Sequence, residues 1–289
     1  MSVLLQLLNG LTTGAIYILL ASGLTIVFGL QRIVNAAHGV FYMLGAYLAI
    51  DLGKRLGFPL TLLVVFAVTA VIGLVFERIA IRPLIRWKRD PTHVLVLTLG
   101  SAIIASELTK MVWGPVPRLA EIPASLSGSL HVAGVTYPAY WLFVMLFTTV
   151  LMAAIGVVFH TTTLGALVRS IALNREMSEA LGTNAPAVSS NVFALGTGVA
   201  GLAGALAAPI LLVTPTMCFD LLMVLFVIVI LGGLGSLRGV VVSGVLVGVV
   251  NAFGVAYLTG TTGTIFVFAV MIVALIVRPH GLFGQEGVD

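Results

Sequence analysis

The sequence predicts an all-α polytopic integral membrane protein, a single domain over residues 1–289 with about eight or nine transmembrane segments, some of them broken or partial. Three observations carry this expectation. Apolar residues make up 60% of the 289 positions and charged residues only 8%, against about 25% charge in an ordinary soluble domain. The apolar residues fall in runs at 3–30, 39–52, 59–77, 93–112, 138–159, 191–213, 220–237, 240–258 and 264–277, and a hydrocarbon core needs about 20 apolar residues per helix. The net charge of +4 is carried by residues gathered in a few connections, which in a membrane chain reports orientation, so no nucleic-acid partner is expected.

The first run has no basic region before it and is longer than the core of a signal peptide, so it reads as an uncleaved helix. A break follows at Asn35-Ala36-Ala37-His38-Gly39. Polar side chains at a break inside apolar sequence need either a protein partner or a water-lined path. Asn35, His38 and Gly39 are accordingly candidates for a substrate path, with packing as the competing reading of His38. The runs at 39–52 and 264–277 are short, which suits tilted or half-crossing segments.

The loop from Arg78 to His93 holds Arg78, Arg82, Arg86, Lys88 and Arg89, which places it in the cytoplasm. Alternation puts Arg169, Arg175 and the Arg278 tail on the same side and residues 114–137 outside. The side of the N-terminus then follows from whether 39–52 crosses. Among the acids, Glu77 and Asp220 sit at run ends, and Glu107 has Lys110 three residues on as a helix-face partner. So little intramembrane charge argues against an ion-coupled carrier.

Gly196, Gly198, Gly201 and Gly204 share one run, and Gly244 and Gly248 another. Small residues at such spacing let membrane helices approach closely. The cluster Gly232, Gly233, Gly235 and Gly239, with Ser236, differs: adjacent glycines weaken a helix end and predict a break where backbone turns toward a cavity. This adds Gly232, Gly233, Gly235 and Ser236 to the substrate-path candidates. Phe28-Gly29-Leu30 echoes Gly232-Gly233-Leu234, as internal repeats do in transporters.

About thirty residues of polar sequence separate the runs ending at 159 and starting at 191, where a connector needs about 2–8. The pattern predicts one helix over 164–181, with Leu167, Ile171, Asn174, Ser178 and Leu181 along one side and an Arg175–Glu179 pair on another. Gly182 stops it, and Ala185-Pro186 keeps it stopped. Such a helix is suited to lie in the interface or to dock on a partner protein. No P-loop exists: the one Gly-Lys pair, Gly53-Lys54, runs into Arg55. The five histidines, His38, His93, His131, His160 and His280, lack ligand spacing, so no metal, cofactor or catalytic residue is expected. Cys218 reads as a small packing residue.

These motifs in their order resemble the permease subunits of ATP-binding-cassette importers for branched-chain amino acids, of the LivH type. The resemblance runs over nearly the whole chain. It rests on Asn9-Gly10, Gly14, Tyr17, Gly23-Leu24, Phe28-Gly29, Asn35 to Gly39, Met43 and Gly45-Ala46-Tyr47. Gly165, Arg169, Ala180-Leu181-Gly182-Thr183-Asn184, Leu231 to Ser236, Gly239 and the tail Arg278 to Gly284 continue it. It implies the ABC importer permease fold and a pore subunit of the bacterial inner membrane. The implied partners are a second related permease, two cytoplasmic ATP-binding subunits and an external substrate-binding protein. It further implies a cytoplasmic coupling loop at about 160–190, in which Gly165, Arg169, Ala180, Leu181, Gly182 and Asn184 form the ATPase-coupling set. The chain departs from the family pattern at Ala166, Leu173, Asn174 and Val40. Importers for urea or short amides share this framework and are the sibling alternative, while a self-contained channel or ion-coupled carrier is the alternative of another class.

Overall fold

The first apolar run folds as α1 (Val3–Gln31), one uninterrupted helix of 29 residues, the form that satisfies every backbone group within lipid. The computed structural model describes residues 3–31, 33, 35–87, 90–132, 134–257, 260–278 and 281–283. Next come α2 (His38–Leu56) and α3 (Phe58–Phe76), joined at Gly57. α3 continues through a π-helical turn (Glu77–Ile81) into α4 (Arg82–Arg86), so that Phe58–Arg86 is one helix of 29 residues. The basic loop expected from Arg78 is therefore helical as far as Arg86, because arginine is a good helix former whose stem covers apolar surface while its head reaches water. Lys88 and Arg89 of that loop lie outside the described residues.

α5 (Pro91–Trp113) is capped by Asp90, whose carboxylate accepts from the Thr92 N–H at 2.8 Å. A hairpin of β1 (Ser129–Val132) and β2 (Val135–Pro138) then leads into α6 (Ala139–Thr161). The remaining helices are α7 (Thr163–Leu173), α8 (Arg175–Ala180), α9 (Ala185–Ala207), α10 (Met217–Gly232), α11 (Leu237–Tyr257) and α12 (Gly260–Val277). Among the described residues, six helices are long and apolar enough to cross a membrane: α1, α3 with its extension to Arg86, α5, α6, α9 and α11.

Two ends can be told apart. The end of α1, Arg82, the α6–α9 connection and the start of α11 gather at the basic end, where Leu30, Val168, Ile171, Ala185 and Val192 form a small core with Leu237 packed on it. At the opposite end, Tyr137 bonds Asn9 and Thr12 of α1, and Arg118 and Ala120 pair with Val213 and Ala208. α1 thus starts at the end away from the basic residues.

α2 does not start level with the end of α1. The His38 ring lies 3.1 Å from the carbonyl of Leu20, about 16 Å back along α1 at 1.5 Å per residue. α10, at 16 residues, is short in the same way, and its first turn at Cys218 packs against Gly39. The order long helix, interruption, partial helix, long helix occurs twice, as α1–α2–α3 and as α9–α10–α11, running in opposite directions. α1 packs on α11 as α9 packs on α3, and α1 meets α9 where Gly23 faces Gly196. A Cβ on Gly196 would stand 2.6 Å from the Gly23 carbonyl oxygen, and one on Gly23 would collide with the Gly196 carbonyl. This inverted arrangement replaces the expected repeat: Phe28-Gly29-Leu30 corresponds in position to the end of α9, whereas residues 232–234 end α10. Gly29 and Gly235 are instead neighbours in space.

Candidate functional site

The interruption before α2 is built from its own side chains. Asn35 is buried and its side-chain Oδ1 accepts from the Ala37 N–H at 3.0 Å, while the Ala36 N–H donates to Thr98 Oγ1 of α5 at 3.2 Å. These two bonds satisfy backbone donors that a helix start leaves open. His38 is fully buried, with Nε2 at the Leu20 carbonyl. Among the described residues Asn35 Nδ2 and His38 Nδ1 have no hydrogen-bond partner, and unpartnered buried donors and acceptors are costly enough to call for an explanation. Gly39 completes the group by letting α10 approach at Cys218, which is buried there. Asn35, His38 and Gly39 are thus brought together where the two partial helices begin.

Gly232, Gly233, Gly235 and Ser236 are not part of that group. They lie at the basic end, where Gly233 and Gly235 take positive φ and Ser236 Oγ accepts from the Gly239 N–H at 3.1 Å, capping α11. The open carbonyls of Leu231 and Gly232 accept from the N–H groups of Leu282 and Phe283 at 2.7 and 3.1 Å. The break expected to turn backbone toward a cavity is closed by the C-terminal tail. Pro279, His280 and Gly284 of that tail lie outside the described residues.

The connection between α6 and α9 is two helices rather than the single one expected over 164–181. Asn174 takes an extended backbone and caps α8, its side chain accepting from the Met177 N–H at 2.9 Å, so the residue assigned to a helix face instead interrupts it. Thr162 caps α7. The inside of the corner is held by Gly165, which lies against the Phe159 carbonyl, and by Arg169, whose guanidinium donates to that same carbonyl. A cation at the end of α6 also suits the helix dipole. Gly182 ends α8 with φ +89°, and the N–H groups of Gly182 and Thr183 reach back to the carbonyls of Glu179 and Ser178 at 3.0 Å. That pattern is a Schellman stop. Asn184 and Ala185-Pro186 open α9 rather than prolong the stop: Asn184 Oδ1 accepts from the Ala187 N–H at 3.0 Å.

Of the side chains expected on one face, Ile171 and Ser178 are buried but Leu181 is 80% exposed. With Leu173 at 85% and Met177 at 60%, it forms a series at four-residue spacing. Ala180, Gly182 and Asn184 are exposed beside it.

One group escaped the sequence reading. Glu77, expected at a run end, is 2% exposed in the π-helical turn. Ser190 Oγ of α9 donates to its carboxylate at 2.5 Å, and Arg82 lies 3.6 Å from the same oxygen. Arg82 also donates to the Pro186 carbonyl at 2.8 Å and to the Ser190 hydroxyl. The first turn of α9, directly after the α7–α8 connection, is clamped to α3 by buried charge. π-helical turns often mark functional positions, but nothing in the sequence joins Glu77 to a serine over a hundred residues away.

At the opposite end, a cavity of about 520 Å³ lies between α2, α3 and the segment 119–125. Lys54 and Glu121 pair beside it at 2.8 Å.

A family of branched-chain amino acid transport system permease components matches residues 6–275. The high-affinity branched-chain amino acid transport system permease protein BraD of Pseudomonas aeruginosa is 32% identical, with 98% of this chain and 96% of that protein covered. LivH, the corresponding permease protein of Escherichia coli K12, is 28% identical with the same coverage. A probable LivH of Methanocaldococcus jannaschii is 25% identical over 93% of this chain and 89% of its own length. No solved structure matches.

Proposed function

Since the chain belongs to the family of permease components of branched-chain amino acid transport systems, we propose that it forms the translocation path for leucine, isoleucine, valine or a related apolar amino acid in an ATP-driven importer. It is a multi-pass protein of the cytoplasmic membrane. In this reading it hydrolyses nothing itself. It works with a second permease, two ATP-binding subunits on the basic side and a substrate-binding protein on the other.

The observation that carries the reading is the α7–α8 connection. Its base is fixed to the ends of α6 and α9, while Leu173, Met177 and Leu181 stand exposed at the basic end. A patch of this kind at the cytoplasmic face marks an interaction surface. An ATP-binding subunit seated on it would push through Asn184 into α9. From there the Glu77–Arg82–Ser190 clamp passes the displacement to α3, and the Gly23–Gly196 contact passes it to α1. The group of Asn35, His38 and Gly39 sits beside that contact, since a Cβ on Gly23 would stand 3.0 Å from His38 Nε2. This is the place where a movement of α9 against α1 would alter the substrate path. In transporters built from inverted repeats, substrate sites lie near the midplane at the repeat interface.

The test is ATP hydrolysis by the chain purified and reconstituted with its second permease, ATP-binding subunits and substrate-binding protein. Stimulation by apolar amino acids delivered on the binding protein is the expected result. Stimulation by urea or short amides alone would replace the substrate class, and transport without any ATP-binding subunit would replace the mechanism.

A further inference from the structure

The helix running from α3 to α4 carries Arg78, Arg82 and Arg86 at four-residue spacing, which stacks them along one side. With Pro83 and Trp87 they line a groove of about 340 Å³ at the basic end. Only Arg82 has a carboxylate partner, the buried Glu77. Among the described residues neither Arg78 nor Arg86 forms an ion pair. Like charges held this close raise one another's energy unless an anion joins them.

The surroundings identify the anion. Below the groove on the same helix, Ile72, Val75 and Ile79 are exposed, Ile79 at 73%, and in a membrane chain such residues meet acyl tails. Above them Trp87 is 68% exposed, at the depth where tryptophan belongs among headgroups. A guanidinium pair offers the forked donors that suit phosphate oxygens. We propose that the groove of Arg78, Arg82, Pro83, Arg86 and Trp87 binds the phosphate headgroup of an anionic phospholipid of the cytoplasmic leaflet, with its tails along Ile79, Val75 and Ile72. Arg78 and Arg86 supply the charge, Trp87 covers the glycerol region, and Arg82 remains with Glu77. The proposal does not depend on which solute the chain transports.

Native mass spectrometry of the detergent-purified chain tests it, using phosphatidylglycerol and phosphatidylcholine of equal tails, and glycerol phosphate as the headgroup without tails. The wild type is expected to retain phosphatidylglycerol about tenfold over phosphatidylcholine. The Arg78→Gln/Arg86→Gln variant should lose most of that preference, and Arg78→Lys/Arg86→Lys should keep part of it. Equal retention of both lipids by the wild type, or an unchanged preference in the glutamine variant, overturns the proposal. Glycerol phosphate binding as tightly as the lipid would make the groove a soluble-anion site and overturns the lipid assignment. If the double variant does not elute as a single species, Arg86→Gln alone carries the comparison, because among the described residues no side-chain hydrogen bond or ion pair joins Arg86 to the clamp.

Discussion

The two ends of the molecule are held together by different physics. At the end away from the basic residues, backbone pairing is joined by several bonds between side chains, none of them a buried ion pair. Arg118 and Val213 exchange two N–H···O bonds, Ala120 reaches Ala208, and the indole of Trp113 donates to Asp51 at 2.7 Å. The charges there, Lys54 and Glu121, are well exposed. At the basic end the helices are tied by few side chains, and the central one is a buried carboxylate. Many weak, redundant bonds make a lid that keeps its shape, whereas a single buried charge cluster makes a joint whose loss is felt at once.

Removing the joint should have the largest effect. Glu77→Ala takes the buried carboxylate from Arg82, whose side chain is 26% exposed, and leaves the Ser190 hydroxyl without its acceptor. Loss of one partner of a fully buried pair costs about 3–5 kcal/mol, and the water reaching Arg82 places this loss below that range. The expected result is a clear drop in the unfolding midpoint of the purified chain. A midpoint equal to wild type would mean that the clamp holds nothing, and the contrast between the ends would dissolve.

Gly182→Val comes next. A β-branched residue at φ +89° is strained by about 1–3 kcal/mol, enough to displace the end of α8 while the membrane helices still form. Arg169→Glu adds a like charge at the end of α6 and should act in the same way. Both should keep permease assembly but weaken attachment of ATP-binding subunits or uncouple hydrolysis from transport. Full attachment with wild-type transport in both would reduce the connection to a spacer.

His38→Leu sharpens the comparison from the middle. It is expected to lower solute uptake in proteoliposomes while assembly stays intact. Wild-type uptake would assign His38 to packing alone.

The smallest effects belong to exposed charge. Lys54→Gln should leave the unfolding midpoint and assembly unchanged, because a pair exposed to water is screened. Asp90 supplies a pH test. Hydrogen bonds from the Thr92 side chain and backbone hold its carboxyl below the ordinary value, so its cap is in place above the unfolded value and is lost as pH falls through the lower folded one. Asp90→Asn keeps the cap and should remove that acid-range dependence from amide exchange in the first turn of α5.

What was legible in the sequence was local. The break at Asn35 to Gly39, the stop at Gly182 and the pairs Glu107–Lys110 and Arg175–Glu179, at 2.6 and 3.0 Å, follow rules that reach only a few residues. Asn174 misled because its place in an apolar period concealed its capacity to cap. Arg78 to Arg86 misled because charge marks a membrane boundary more reliably than it marks a helix end. The clamp could not be read at all, since Ser190 finds Glu77 only after α3 and α9 have packed. The inverted repeat was visible only as glycines, because its two halves match in position with their directions reversed while their side chains differ.

The pairing of α1 with α11 has a consequence for biogenesis. α1 is made well before the helix that covers it, which follows about 200 residues later, a delay of about 10–40 s at ordinary synthesis rates. Gly10, Gly14 and Tyr17, which meet Val249, Gly244 and Asn251 of α11 in the finished protein, must wait that long in lipid or at the insertion machinery. A permease with this layout closes around α1 late, so a ribosome that stalls before α11 leaves behind an inserted chain with the glycine seam of α1 still open, a form that membrane quality control can recognise.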